Sequence, residues 1–376
     1  MLKNNIQQQV NQLFKELNIT GKNLAVKRKV EKRNLLIKDP KIKKIYTKFK
    51  AIIFKKIKKK SFALAVSGGS DSLCLAYFSK MYAAEFKNKI HVLIVDHKLR
   101  KESHKEALKA KGILKKKRIL SKILNWKGKV PKRNIQRNAR NIRYSLISNY
   151  CSKRNIKFLI TAHHTDDQIE NFFIRLLRGS GLTGLSSMSE SVNYNSSLKI
   201  VRPFLSFKKI DLKYITLNFF KTYIKDPSNE NENFLRVRIR KYRKNMEKEG
   251  LGTGKIIKTV NNLLSASKAL DFYKNKALYK YVSFLPKNKC SINTQIFSDE
   301  AGEIIFKSFS DILSLVSGTY YPPRSKKIIS LIDRVKKAKF NKSTLGGCVI
   351  EKKDNFILIS KEQRKRIRKI PFQLEK

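Results

Sequence analysis

Short apolar runs alternate with segments of helical spacing in the first half of the chain. Four runs are predicted as β-strands, at 62–66, 90–95, 119–124 and 157–162. Three segments between them place their apolar residues on one side of a helix, at 71–86, 102–116 and 135–150. Strands that alternate with helices build a parallel sheet with helices on both faces. We therefore predict an α/β fold with a doubly wound, mostly parallel sheet.

The second half of the chain has a different pattern. Helical spacing recurs in four segments, at 208–221, 254–284, 299–316 and 326–337. Two strand-like runs, GGCVIE and NFILIS, follow them. We therefore predict four regions in chain order: a basic amino-terminal extension at 1–60, the α/β domain at 61–225, a helical region at 226–286 and a small α+β carboxyl-terminal domain at 287–376.

The sequence SGGSDS lies between the first predicted strand and the helix after it. A glycine-rich turn in this position presents backbone N–H groups to an anion, and the helix dipole adds positive potential. The turn lacks the Lys-Ser/Thr ending of a Walker P-loop, which favours a grip on pyrophosphate as a leaving group. All six residues are predicted to bind the phosphates: Ser67, Gly68, Gly69, Ser70, Asp71 and Ser72. Asp71 either caps the helix or holds a magnesium ion, and a capped turn without a ligand is the structural alternative.

Polar residues also follow two other predicted strands. Asp96 and His97 follow the second strand, and the sequence HHTDD, from His163 to Asp167, follows the fourth. Parallel sheets bind ligands at the carboxyl ends of their strands, so we expect these residues on one edge of the sheet. One of His163 and His164 is a candidate to contact the ligand, and a packed or capping histidine is an equally supported alternative for either. No third nitrogen or sulfur ligand lies near them at metal-binding spacing.

Charge and cysteine content narrow the class of protein. The chain has 85 Lys and Arg against 28 Asp and Glu, a net charge of +57 that favours a polyanionic partner. Abundant Lys, Asn and Ile would also follow from an AT-rich genome, so the charge supports this interpretation without proving it. The four cysteines form no CxxC pair, which argues against disulfides and structural zinc. No apolar run reaches the ~20 residues of a membrane span, and we expect a cytoplasmic protein.

The basic extension at 1–60 contains two weakly amphipathic stretches, at 10–17 and 42–57. Charged runs are usually solvated, so a solvated helical lead-in is the favoured interpretation. An additional arm that contacts RNA is the alternative.

Seven motifs carry a family resemblance. SGGSDS after a strand resembles the signature of the PP-loop ATP pyrophosphatases, whose fold is Rossmann-like. VDHKLRKES, NIQRNARNIRY and TAHHTDDQIENFFIRLLRGSGLTGLSSM are similar to motifs of the tRNA(Ile)-lysidine synthetase family. RPFL, KDPSNENENFLRVRIR and the pair YYPPRS with STLGGCVI resemble its later landmarks in the expected order, so the resemblance extends from about 61 to 363.

The resemblance implies an enzyme that uses ATP and Mg²⁺. The C2 oxygen of the wobble cytidine in a CAU-anticodon isoleucine tRNA attacks the α-phosphate of ATP, and pyrophosphate leaves. The ε-amine of free L-lysine then displaces AMP to form lysidine. The helical region at 226–286 and the carboxyl-terminal domain are then expected to bind tRNA. A homodimer is compatible with this family, and no membrane partner is expected.

The resemblance also implies roles for individual residues. Asp167 and Glu170, three apart on a helix, are expected to hold lysine, and one of them to accept a proton from its amine; a pair of carboxylates at a helix N-terminus is the alternative. Arg140 and Arg143 are expected to face the ATP phosphates. Asp71 completes the predicted catalytic set. In a separate nucleotide-contacting set, the resemblance places Asp96 and His97 near the adenosine and His163 near the nucleotide.

Two other functions compete with this one. Another PP-loop tRNA-modifying enzyme, a thiolase, would use cysteines to carry sulfur or an iron–sulfur cluster, and Cys74 and Cys151 lack the expected pairing. A catalytically silent RNA-binding protein would have no need for the SGGSDS turn.

Overall fold

The computed structural model describes residues 39–98, 102–128, 135–226, 231–286, 288–319 and 322–363, with the backbone alone at 135–137. The described residues fall into two compact units. The first unit comprises the described parts of Met1–Glu170 and Ser189–Arg238, and the second comprises those of Asn171–Met188 and Ile239–Lys376. The predicted region boundaries at 60, 225 and 286 stay predictions.

The first unit contains a six-stranded sheet. Its strands are β1 Phe62–Ala65, β2 Ile90–Asp96, β3 Ser121–Asn125, β4 Phe158–Ile160, β5 Ser191–Asn193 and β6 Lys199–Val201. Their spatial order is β3-β2-β1-β4-β6-β5. All neighbours run parallel except β5, which pairs antiparallel with β6. The predicted mostly parallel sheet is confirmed, and the sequence analysis missed β5 and β6.

Helices on both faces of this sheet make it doubly wound. They are α1 Pro40–Ile57, α2 Ser70–Phe86, α3 Ser103–Lys116, α4 Ile135–Ser152 and α7 Lys209–Phe220. The boundary between the two units falls within α5 Thr165–Leu176 and within α8 Leu235–Lys248, and α6 Leu182–Leu185 belongs to the second unit. Alternate residues of β1 enter different hydrophobic clusters: Phe62 and Leu64 pack with side chains of α1, α2, α3 and α7, whereas Ala63 packs with those of α4.

Helix α1 packs against the core of the first unit. Its apolar residues recur at three- and four-residue spacing, and Phe49, Ile53 and Ile57 are fully buried. The Tyr46 hydroxyl donates to Glu85 at 3.0 Å, and Lys50 pairs with the same carboxylate at 2.9 Å. One face of this segment is therefore core, not a solvated lead-in. The stretch 10–17 lies outside the described residues.

The second unit contains an antiparallel sheet covered by helices. Its remaining helices are α9 Thr253–Tyr281, α10 Ile296–Asp299, α11 Gly302–Ser317 and α12 Ser325–Val335. Its strands are β7 Val282–Leu285, β8 Lys289–Asn293, β9 Lys342–Leu345, β10 Cys348–Lys353 and β11 Phe356–Lys361, in the order β7-β8-β11-β10-β9. The predicted α+β class of the carboxyl-terminal part of the chain is confirmed. The sequence predicted only β10 and β11, and it continued α9 into what is β7. Across the described residues, no helix is long and apolar enough to cross a membrane.

Candidate active site

The SGGSDS turn needs glycine at its second position. Gly68 has a φ of +87°, in the left-handed region, and its carbonyl oxygen accepts from the Ile224 N–H at 2.9 Å. A Cβ at Gly68 would lie 2.6 Å from Ile224 Cδ1 and 3.0 Å from Ala110 Cβ. Strand β1 can therefore stop abruptly because glycine adopts this left-handed conformation, and a side chain here would require Ile224 and Ala110 to shift.

The hydroxyl of Ser72 braces the turn from inside. Its Oγ accepts from the Ser67 N–H at 3.2 Å and donates to the Gly69 carbonyl at 3.0 Å. Helix α2 begins with Gly69 as its N-cap, and glycine has no side chain to accept from the amides of the first turn. These amides and the positive end of the helix dipole could bind an anion. The arrangement fits the predicted phosphate grip, in which backbone groups do most of the binding.

His164 joins the turn after β1 to the segment after β4. Its Nε2 lies 3.5 Å from Asp71 Oδ2 and 3.5 Å from Asp167 Oδ2, while its Nδ1 accepts from the Asp166 N–H at 3.2 Å. The hydrogen of the neutral ring is therefore on Nε2, where it faces both carboxylates. The structure thus confirms the prediction that the segments after β1 and β4 lie close together at the carboxyl edge of the sheet.

Protonation at this junction depends on burial and on charge. Burial raises the pKa of Asp71, but the hydrogen bond and charge of His164 outweigh it, so the pKa is lowered overall. Burial lowers the pKa of His164, but the carboxylates of Asp71 and Asp167 outweigh that effect and raise it. Asp71 is thus held as a carboxylate at the start of α2.

The predicted lysine-binding pair lies on α5, on one face of the helix. Asp167 Oδ2 accepts from the His164 N–H at 3.0 Å, so this oxygen caps the N-terminus of α5. Glu170 is only 2% exposed. The alternative role, a carboxylate at a helix N-terminus, is therefore filled by one oxygen of Asp167. The role of the pair in holding lysine stays a prediction.

His163 lies among arginines. Its pKa is lowered to about 3, chiefly by burial and also by the charges of Arg202, Arg140 and Arg236, while the nearby Asp167 acts in the opposite sense. The ring is neutral at physiological pH, and its Nδ1 lies 2.9 Å from Thr161 Oγ1. Cationic side chains around a neutral ring at a strand end favour an anionic ligand.

The sequence analysis named Arg140 and Arg143 but missed Arg202 and Arg236. Arg140 is exposed and lies over the Tyr144 ring, with Cζ 5.0 Å from the centroid, and Arg143 is exposed on the same helix. Arg202 directly follows β6, and its Nη1 donates to the Ser189 carbonyl at 2.9 Å. The position after a strand was the signal for Arg202, but β6 itself was not predicted.

Asp96 has structural partners at the end of β2. Its side chain is fully buried, Oδ1 accepts from the Lys98 N–H at 3.0 Å, and Oδ2 lies 3.0 Å from His104 Nδ1. Its carbonyl accepts from the Trp126 N–H at 2.9 Å. Asp96 thus holds the turn between β2 and α3, next to His97. The predicted adenosine contacts of Asp96 and His97 stay predictions.

The described residues offer neither a metal-binding cluster nor a reactive thiol. Among the described residues, no cluster of three or more His, Cys, Asp or Glu side chains could hold a metal ion. All four cysteines are free and buried. Burial raises the pKa of every one of these thiols, that of Cys151 to about 11 and that of Cys290 to about 12. Such thiols are poor nucleophiles and poor cluster ligands at neutral pH.

Comparison with known proteins identifies the family. Residues 40–245 match the PP-loop domain family, so the chain belongs to the class of ATP-binding PP-loop proteins. It is 35% identical over 309 residues to the tRNA(Ile)-lysidine synthase of Orientia tsutsugamushi (strain Boryong), an alignment that covers 80% of this chain and 69% of that protein. The tRNA(Ile)-lysidine synthase of Wolbachia pipientis wMel is 35% identical over 319 residues, or 83% and 73% of the two chains. The chain is a member of the tRNA(Ile)-lysidine synthase family.

A solved structure supports the fold alone. The U34-tRNA thiolase NcsA from Methanococcus maripaludis, solved with its [4Fe-4S] cluster, aligns with a TM-score of 0.51 at 19% identity. The alignment covers 61% of this chain and 81% of that one.

Proposed function

We propose that this protein uses ATP to join free lysine to C2 of the wobble cytidine in a CAU-anticodon isoleucine tRNA, forming lysidine. Membership of the tRNA(Ile)-lysidine synthase family supports this reaction. The observation that carries it is the junction at His164, which brings the anion-binding turn beside the carboxylate-bearing start of α5. One site can therefore receive both an ATP phosphate chain and a cationic amine.

The proposed reaction has two steps. The C2 oxygen of the cytosine attacks the α-phosphate of ATP, and the bond to pyrophosphate breaks. The ε-amine of lysine then attacks C2, the C2–O bond breaks, and AMP leaves with the oxygen. The amine loses a proton in this step, and Asp167 or Glu170 accepts it. Amides at the start of α2 stabilise the departing pyrophosphate, and Arg140 and Arg143 stabilise the charge on the phosphates.

The donor set fits a magnesium ion bound mainly through the nucleotide. Mg²⁺ is commonly held by one or two carboxylates, water and substrate phosphates, and Asp71 is a carboxylate at the phosphate turn. It would hold the ion there, and the ion would neutralise phosphate charge. Lysine binding would use Asp167 and Glu170, because a buried ammonium group requires a carboxylate partner. The homodimer stays a prediction.

A thiolase function has less support. Raised thiol pKa values and the burial of all four cysteines oppose sulfur transfer through these residues. A silent RNA-binding protein would leave the internally braced SGGSDS turn without a use.

The test is lysine transfer. Protein, ATP, Mg²⁺, radiolabelled lysine and an unmodified CAU isoleucine tRNA should yield labelled tRNA and one AMP for each lysine transferred. A tRNA with uridine at the wobble position is the control and should stay unlabelled. Absence of label with folded protein and intact tRNA would refute the proposal.

Variants of α5 test the site. Asp167→Asn and Glu170→Gln should raise the KM for lysine at least tenfold while tRNA affinity stays within about twofold, since removal of a charge-assisted hydrogen bond costs about 1.5–3 kcal/mol. Asp166→Asn, at the neighbouring position, is the matched control. Equal losses of lysine use and tRNA binding would show that the pair is structural.

A further inference from the structure

Helix α9 of the second unit has an outward face that alternates lysine with aromatic residues. The helix buries Ile256, Val260, Ala277 and Tyr281, the last two within the hydrophobic core of the second unit. On another side, Phe272 is 60% exposed and Tyr279 is 94% exposed. Exposed rings that lie on one face of a helix, unlike rings scattered singly over a surface, are typical of an interaction surface.

Four exposed residues form this face, which we call the lysine–aromatic stripe: Lys268, Phe272, Lys276 and Tyr279. Their spacing of four, four and three residues places them one above another on a helix. The Lys276 ammonium lies 5.6 Å from the centroid of the Phe272 ring. Cation and ring therefore occupy one continuous surface.

The lysines of α9 differ in their partners. Lys274 pairs with Asp311 and Lys280 lies 3.3 Å from Asp299. The stripe lysines, Lys268 and Lys276, have no carboxylate within 4 Å among the described residues.

The acidic residue of α9 pairs with a lysine of another helix. Asp271, the only Asp or Glu between 253 and 281, accepts from Lys307 at 2.9 Å. The stripe is thus a positive surface without a countercharge from its own helix.

Rings that alternate with such cations suit a single-stranded nucleic acid. Unpaired bases stack on aromatic side chains, and lysines neutralise the phosphates between them. A base inside a duplex has both faces covered by its neighbours and cannot stack in this way. Because its two lysines have no carboxylate partner among the described residues, this face favours a polyanionic partner such as RNA.

We propose that the lysine–aromatic stripe of α9 binds unpaired nucleotides of the tRNA substrate. This inference rests on the proposed function for the identity of the RNA, but the chemistry of the site requires only unstacked nucleotides. The rings supply stacking and the two lysines supply charge.

Binding by the full-length chain tests the inference. Fluorescence anisotropy would measure the affinity for an unstructured RNA octamer, a blunt RNA duplex and a CAU isoleucine tRNA. Phe272→Ala/Tyr279→Ala should weaken octamer binding by about tenfold or more for each ring and leave duplex binding unchanged. Lys268→Gln/Lys276→Gln should lower the salt dependence of octamer binding, by about 0.7 in the log–log slope for each phosphate that is no longer neutralised.

Two further variants separate the explanations. Phe356→Ala removes a ring that is 50% exposed in the same unit but lies outside the stripe, two positions after Asp354, and octamer binding should not change. Phe272→Leu/Tyr279→Leu keeps an apolar surface without rings and should lose octamer binding as the alanine pair does.

Three results would overturn the inference. They are wild-type octamer affinity in the alanine pair, equal loss of octamer and duplex binding, and self-association of the wild type that the alanine pair abolishes without a change in RNA binding. None of these measurements depends on lysine transfer. Failure of the proposed function with stripe-dependent octamer binding would leave the inference in place.

Discussion

Replacement of Gly68 by alanine should destabilise the first unit far more than the same change at Gly69. At Gly68 the left-handed φ costs an L-residue about 1–2 kcal/mol, and the overpacking of a Cβ at 2.6 Å from Ile224 Cδ1 costs about 1–3 kcal/mol more. The expected loss is therefore about 2–5 kcal/mol. Gly69 has extended backbone, and its added Cβ would meet only Ser67 Oγ at 3.6 Å. Its loss should be about 1 kcal/mol or less, the usual cost of alanine at an N-cap.

Urea unfolding would measure this difference. The chain has one tryptophan, Trp126, whose backbone N–H donates to the Asp96 carbonyl in the first unit, so its fluorescence reports on that unit. Gly68→Ala should lower the urea midpoint clearly, with an unchanged m-value. Equal midpoints for the two variants, or a Gly68→Ala midpoint equal to that of the wild type, would refute the steric explanation of the turn.

Three further predictions concern other parts of the chain. The four thiols should not react with a disulfide reagent in the native protein at pH 8 and should all react after unfolding; rapid reaction of Cys74 or Cys151 would contradict their burial. Because burial lowers the pKa of His163 from 6.5 to about 3, the unfolded state binds more protons between these pH values. The stability due to the neutral ring is thus present above about pH 6.5 and is lost as the pH falls below it, so His163→Gln should flatten this decline in pH-dependent urea midpoints. Phe49→Ala should cost about 3–5 kcal/mol in urea unfolding, whereas Lys48→Ala, exposed next to it, should cost little, and similar costs would show that α1 is not core.

Elements defined by adjacent residues were predictable from the sequence, whereas elements that depend on contacts between distant residues were not. The strand, glycine turn and helix from 62 to 86 were predictable because an apolar run, two glycines and helical spacing are adjacent in sequence. Strands β5 and β6 have three residues each, too few for a period-two pattern, and their place in the sheet depends on tertiary pairing, of β6 with β4 and of β5 with β6. The central role of His164 was not predictable for a related reason. It depends on contacts with Asp71, which lies 93 positions earlier in the chain.

Several predicted ligand-binding residues have side chains that first hold the site in shape. Ser72 braces the turn, Asp96 holds the end of β2, and one oxygen of Asp167 caps α5. The groups left to meet an anion are then chiefly the backbone amides at the start of α2, and among the twenty amino acids only proline lacks this N–H. Loss of activity in a Ser72 or Asp96 variant would therefore report a distorted site as readily as the removal of a ligand-binding group. For this reason the separation of lysine KM from tRNA affinity at Asp167 and Glu170 is the measurement that distinguishes binding from support.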